Sequence, residues 1–147
     1  MHYKVSVIVP VYNVRDYLAR CVENLMNQTL REVEYIFVED CATDDSYQIL
    51  MDTLARFPHR RGDVRVIRHE VNKGLTMSRA DGLDVAAGDF IIHSDSDDWT
   101  DVTMFEKMYD KAVSDGAEIC ICDFFHVRKD GLKRENVTLD CRKPHKE

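Results

Sequence analysis

Short apolar runs alternate with amphipathic stretches along most of the chain. Val5 to Val9 is a β-branched run that meets Pro10, Tyr35 to Val38 and Phe90 to Ile92 are similar, and Val64 to Ile67 is a weaker one. Between them, apolar positions recur at helical spacing. Tyr17, Leu18, Cys21, Val22, Leu25 and Met26 form one stripe, and Leu50, Leu54 and Phe57 another, with Thr43 or Asp44 as its cap and Pro58 after it. Leu75 to Ala87 reads as a helix closed by Gly88. Phe105, Met108, Tyr109 and Ala112 share the face of a further helix that Gly116 ends. Ile119 to Phe125 reads as a fifth strand, apolar on both faces. Strands without polar alternation, separated by amphipathic helices, predict an α/β fold: an open, mainly parallel, doubly wound sheet with helices on both faces. After Phe125 the pattern fades, and Asp130-Gly131 is a turn signal that suits a small hairpin. The expected organisation is one nucleotide-binding unit over residues 1–125, then a hairpin or irregular segment over 126–147.

Composition narrows the choices. A chain of 147 residues, 44% hydrophobic and 32% charged, suits one domain with a core of its own. The net charge of −7 argues against nucleic acid as a partner, because phosphate backbones select basic surfaces. No run approaches the roughly 18 apolar residues of a membrane span, and the N-terminus leads directly into a strand, so neither a span nor a signal peptide is expected. Cys21, Cys41, Cys120, Cys122 and Cys141 lack metal-type spacing. Cys21 on a helix face and Cys120 and Cys122 in an apolar strand read as buried free thiols, which suits a reducing, cytoplasmic setting or the cytoplasmic membrane surface.

In an open parallel sheet, ligands bind beyond the carboxyl ends of the strands, and here those ends are acidic. The second strand runs into Glu39-Asp40, and the fourth into His93-Ser94-Asp95-Ser96-Asp97-Asp98-Trp99. Three carboxylates within four residues repel one another unless a cation is present. Magnesium or manganese, which take oxygen ligands from one or two carboxylates plus substrate phosphates, would suit them. Capping of a helix beginning near Asp101 accounts for one or two of these aspartates but not for all. Glu39-Asp40, taken alone, reads as well as an Asx-type turn as it does as an acceptor for a nucleobase N–H. Asn72-Lys73-Gly74 followed by Arg79 offers a tight turn and a guanidinium fork for phosphate or for the acidic cluster.

Together these stretches resemble the family 2 glycosyltransferases, whose catalytic domain has the GT-A fold, a Rossmann-like nucleotide-binding half. The matching segments are Val5 to Asn13, Val38 to Asp44, Asn72 to Leu75 with Arg79 and Gly82-Leu83, and Gly88 to Ile92 running into Asp95 to Asp98. The resemblance implies that Pro10 and Tyr12 pack on the nucleotide base and that Asp40 contacts it. It places Asp95 at the ribose, Asp97 on a divalent cation (Mg2+ or Mn2+), and Arg79 near the diphosphate. The implied activity is inverting, metal-dependent hexosyl transfer from a nucleotide-sugar donor, with a lean to UDP, to an acceptor hydroxyl. Glu39, Cys41-Ala42 and Ala80 depart from the usual pattern. Nothing after Phe125 matches the family's acceptor-binding half. The chain therefore reads as the N-terminal, donor-binding part of a longer enzyme, with its general base beyond residue 147 and Asp98 and Asp123 as the nearest local carboxylates. A fragment of this kind should expose apolar area and tend to form homo-oligomers. Two rival classes are a receiver-like signalling domain, whose acids follow the first and third strands, and a nucleotidyltransferase, whose first loop is glycine-rich. Neither pattern is present.

Overall fold

The computed structural model describes residues 2–128 and 131–135. The chain runs β1 (Val5–Val11), α1 (Arg15–Met26), β2 (Val33–Glu39), α2 (Ser46–Leu54), a 3₁₀ turn (Pro58–Asp63) and β3 (Val64–Arg68). It continues through α3 (Leu75–Leu83), β4 (Phe90–His93), α4 (Met104–Asp115), β5 (Phe124–Arg128) and β6 (Gly131–Glu135). The first four strands form one sheet in the order β3-β2-β1-β4, parallel throughout. This is the expected open, doubly wound α/β architecture.

Every residue of β1 and β2 is buried, so their mainly apolar character reflects a layer on each side, and the buried Ser6 and Glu34 satisfy each other at 2.6 Å. Val5, Val7, Val9 and Val11 of β1, with Val33, Tyr35 and Phe37 of β2, pack against Leu18, Cys21, Val22 and Leu25 of α1, Leu50 of α2 and Phe105 of α4. Ile8, Ile36 and Val38 form a smaller cluster on the opposite face, under α3. Gly82 makes that second layer possible: a Cβ there would lie 2.5 Å from Ile8 Cγ2, well inside van der Waals contact.

Pro10 does not stop β1, contrary to the sequence reading. Residues of even number in β1 face β4, whose ladder ends with Ser94 N–H donating to Ile8 O at 3.0 Å. The missing N–H of Pro10 therefore points past the end of that pairing. Toward β2 the ladder continues to Val11 O, which accepts from Asp40 N–H at 3.0 Å.

The fifth strand is a larger correction. Residues 119–123 are not in a strand, and the main sheet has no fifth member among the described residues. β5 begins at Phe124 and pairs antiparallel with β6 in a separate two-stranded sheet, with Arg128 opposite Gly131. Cys120 is accordingly half-buried and Cys122 exposed rather than interior, while Cys21 is buried as expected. Apolar periodicity marks a segment that can pair but does not choose its partner, and β4 keeps an unpaired edge among the described residues. Ile119 and Phe125 are exposed rather than interior, as is Val127. Cys141, Asp130 and the polar tail lie outside the described residues. No described helix is long and apolar enough to cross a membrane.

Candidate functional site

Three loops leave the carboxyl ends of β1, β2 and β4 on the same edge. Pro10, Tyr12, Asp40, Asp95 and Asp97 line one cleft there, of about 370 Å³, together with Asn72, Gly74, Leu75 and Ser78 from the β3–α3 connection. Arg79 adjoins it through an ion pair, its Nη2 donating to Asp95 Oδ1 at 2.6 Å. The structure thus brings together the six residues read as holding the donor and its cation, Pro10, Tyr12, Asp40, Arg79, Asp95 and Asp97. Asp98 and Asp123 are not among the residues lining the cleft.

The loops are tied to one another. Asn13, at φ 49°, accepts with Oδ1 from Thr43 N–H (2.9 Å) and the Thr43 hydroxyl (3.2 Å), joining the β1 loop to the β2 loop. Val14 N–H donates to Ser46 Oγ at 2.9 Å. Asp44 accepts from Ser46 N–H and Arg15 N–H, so it serves the starts of both α2 and α1. Within the acidic pair, Glu39 closes the turn, not Asp40. Its Oε1 accepts from Ala42 N–H at 2.6 Å and its Oε2 from Arg68 Nε at 3.0 Å, both within the buried end of β2.

Asp40 has a different task. Its Oδ1 accepts from Lys73 N–H at 2.7 Å and its Oδ2 from Gly74 N–H at 2.8 Å, and His69 Nδ1 lies 2.7 Å from Oδ1. Gly74 adopts φ 83°, where a side chain would be strained, and this presents its N–H to the carboxylate. Burial alone would raise the Asp40 pKa, but the Lys73 amide, His69 and the Gly74 amide together hold it below the ordinary 3.8. A depressed carboxylate stabilises the fold above its unfolded value and loses that contribution as pH falls through the folded value. Amide exchange at Lys73 and Gly74 should therefore lose protection on acidification below about pH 4, before exchange in β1 and β2 changes. Simultaneous loss at all four places would contradict this.

The β4 loop is held from below by α1. Asn24 Oδ1 accepts from Thr100 N–H (2.8 Å) while its Nδ2 donates to Thr100 O (2.7 Å), and Gln28 Nε2 donates to Asp101 O (3.1 Å). The Arg20 guanidinium stacks on the Trp99 ring at 3.6 Å. These anchors escaped sequence reasoning: Asn24 lies in the last turns of α1 and Gln28 two residues beyond its end. Of the aspartates, only Asp101 serves α4, accepting from Thr103 N–H at 2.9 Å. Helix capping therefore does not account for Asp95, Asp97 and Asp98. Burial, then the negative charges of Asp97 and Asp95, push the Asp98 pKa up. Burial and the same acidic loop raise the Cys21 thiol to about 12, so that sulfur is inert at neutral pH.

Hard oxygen donors with unrelieved mutual repulsion are the right chemistry for a divalent cation. Among the described residues Asp97 has no cationic partner, and no three His, Cys, Asp or Glu side chains form a ready-made metal cage. A site completed by substrate phosphates requires only one or two carboxylates, and Asp97 fits that description.

The glycosyl transferase family 2 model matches residues 6–146. The chain belongs to that family. Its members among curated proteins include the uncharacterized glycosyltransferase EpsJ of Bacillus subtilis, 35% identical over 126 residues that make up 86% of this chain and 35% of EpsJ. The glycosyltransferase GlyA of Streptococcus pneumoniae is 35% identical over 83% of this chain and 17% of its own length. This family 2 chain thus spans about a third or less of such relatives. Among solved structures, Staphylococcus aureus TarS 1-349 in complex with UDP superposes with a TM-score of 0.67 at 29% identity, over 76% of this chain and 32% of that one. The mannosyltransferase PcManGT of Pyrobaculum calidifontis, in complex with GDP-Man and Mn2+, shares the fold, with a TM-score of 0.55 at 20% identity over 67% of this chain and 29% of its own. The GT-A architecture follows, and this chain corresponds to the N-terminal part of a family 2 enzyme.

Proposed function

We propose that this chain supplies the donor half of a metal-dependent, inverting glycosyltransferase that takes a hexosyl group from a UDP-sugar. The observation that carries this reading is the convergence of Pro10, Tyr12, Asp40, Asp95 and Asp97 on one cleft beyond the carboxyl ends of β1, β2 and β4. The half-exposed Tyr12 offers a flat ring to the base, and the buried Pro10 lines the cleft beside it. A carboxylate has about four acceptor positions. Three at Asp40 are taken by Lys73, Gly74 and His69, which leaves one on Oδ2 for a ring N–H such as that of uracil. Asp95, held by Arg79 through Oδ1, keeps Oδ2 for a ribose hydroxyl. Arg79 retains further N–H groups for the diphosphate. Its Nε is buried without a hydrogen-bond partner among the described residues.

Asp97 would hold the cation, Mg2+ or Mn2+. A divalent ion there supplies Lewis-acid neutralisation of the diphosphate as it departs. Asp95 and Arg79 orient the donor, and the cleft walls exclude water from its base. Neither Asp98 nor Asp123 is among the residues lining the cleft, which fits a general base beyond residue 147 in this reading. TarS, a relative crystallised with UDP and with UDP-GlcNAc, supports the uridine assignment. A homo-oligomer and a location in the cytoplasm or at the cytoplasmic membrane surface accord with this reading.

Calorimetry of UDP into the protein tests it. With Mn2+ present, one UDP per chain is expected to bind. With excess chelator, affinity should fall at least about tenfold, since each tenfold corresponds to only ~1.4 kcal/mol. No heat of binding under either condition would remove the donor-site assignment.

A further inference from the structure

The β3–α3 connection contains a charged device that the donor site as described does not use. His69 follows β3, and its side chain is 3% exposed. Its Nδ1 lies 2.7 Å from Asp40 Oδ1 and its Nε2 lies 2.9 Å from Asp81 Oδ2. Asp81 Oδ2 also receives Lys73 Nζ at 2.8 Å, while the Lys73 backbone N–H rests on Asp40. The charged groups facing the ring are therefore Asp40 at the end of β2, Asp81 on α3 and, through Asp81, Lys73 of the connection itself.

A neutral imidazole carries one N–H and one lone pair, so it can donate to only one of two carboxylates. The other contact would set a lone pair against an anionic oxygen at hydrogen-bond distance. Both contacts are favourable only when both ring nitrogens carry protons. The set Asp40, Asp81, His69 and Lys73 then sums to zero charge, with His69 and Asp40 buried and Asp81 and Lys73 at its exposed side.

We propose that His69 is a positioning residue of the donor site, acting as an imidazolium shared by Asp40 and Asp81 that locks the 72–74 wall of the cleft. This rests on the donor reading above. When the ring gives up its second proton, one of the two contacts turns repulsive. Asp81 is the partner that yields: it is partly exposed, with Lys73 as an alternative partner, whereas Asp40 is buried and also bound to two amides. As Asp81 swings away it takes the Lys73 side chain with it, and the Lys73 amide is pulled from Asp40. The support given to the nucleotide is present at lower pH and is lost as pH rises.

The test compares UDP affinity with Mn2+ for the wild type, His69→Ala and Asp81→Asn over about pH 5 to 8, the range in which histidine side chains change charge. Nitrogen-15 spectra of the His69 ring accompany each point. The wild type should bind roughly tenfold more weakly at the upper end, as the ring signals move from imidazolium to neutral. His69→Ala should be weak and insensitive to pH beyond the dependence intrinsic to UDP and metal. Asp81→Asn presents an amide that can donate to a neutral ring, so it should keep the wild-type low-pH affinity across the range. A merely structural histidine would not give that rescue. Equal pH slopes in wild type and Asp81→Asn, or a neutral ring throughout in the wild type, would overturn the role of His69 while leaving the donor site in place. No UDP binding by the wild type at any pH would overturn both.

Discussion

Asp97→Ala is expected to abolish the part of UDP affinity that depends on Mn2+, a loss of at least about tenfold, or ~1.4 kcal/mol, equal to that caused by excess chelator. The reason lies in the charge distribution of the β4 loop. Asp95 is already neutralised by Arg79 at 2.6 Å. Asp98 is exposed on the same loop but does not line the cleft, and its pKa is raised, by desolvation first and then by Asp97 and Asp95. Asp97 is the carboxylate that lines the cleft, is exposed and has no cationic partner among the described residues.

The same charge pattern separates a binding defect from a folding defect. Removing Asp97 relieves the repulsion felt by Asp98, so the metal-free variant should melt no lower than the wild type. Mn2+ with UDP should raise the melting temperature of the wild type through mass action and leave that of Asp97→Ala where it was. Equal metal-dependent affinity in the two proteins would show that the cation is held elsewhere or not at all.

Arg60→Ala is expected to cost about 3–5 kcal/mol of folding stability, the range for breaking one partner out of a buried charge network. Arg60 is 2% exposed and donates from Nη1 to Arg31 O (2.8 Å) and from Nη2 to Gln28 O (3.0 Å) and Leu30 O (3.0 Å). Its Nη1 also lies 3.7 Å from the half-buried Asp63, and its guanidinium carbon is 5.9 Å from the Tyr35 ring centroid. One side chain thus fastens the α1–β2 connection to the turn before β3. Alanine leaves three carbonyls without this donor and Asp63 without its ion-pair partner, and the unpaired carbonyls are expensive in a dry interior. Urea unfolding measures the cost, and Arg60→Lys should fall between the two, because a single ammonium cannot span three carbonyls as a planar fork does. A change below about 1 kcal/mol, the ordinary scale of a surface substitution, would mean that water replaces the guanidinium without penalty. UDP affinity of the folded fraction should be unaffected, since Arg60 does not line the cleft.

The neighbouring arginines show where sequence reading reaches its limit. Arg60 is buried and Arg61 exposed, yet in the sequence both belong to one short basic turn. The same holds for His69. Nothing in the string Arg68-His69-Glu70 announces a ring shared by two carboxylates, because one of them comes from β2 and the other from α3. The role of Asp40 was legible only in part: a strand-end acid beside the ligand edge was evident, but its hydrogen bonds to the amides of Lys73 and Gly74, 33 and 34 residues further on, were not. The apolar run Ile119 to Phe125 misled for a related reason, since local pattern describes a strand's faces and not the edge it joins.

What the chain determines by itself is periodic or local in origin. Unbroken β-branched runs specify interior parallel strands, helical stripes specify the layers that cover them, and the acids at the ends of β2 and β4 fall on the ligand-binding edge because all parallel strands end on the same side. Tertiary structure decided the rest: which acid pairs with Arg79, which closes a turn, which holds the Asn72–Gly74 wall and which is left for a cation. Those outcomes depend on contacts between residues far apart in the chain, and on burial that turns an ordinary arginine or histidine into a charge that must find its partners. The energies involved become large only after packing has removed the water.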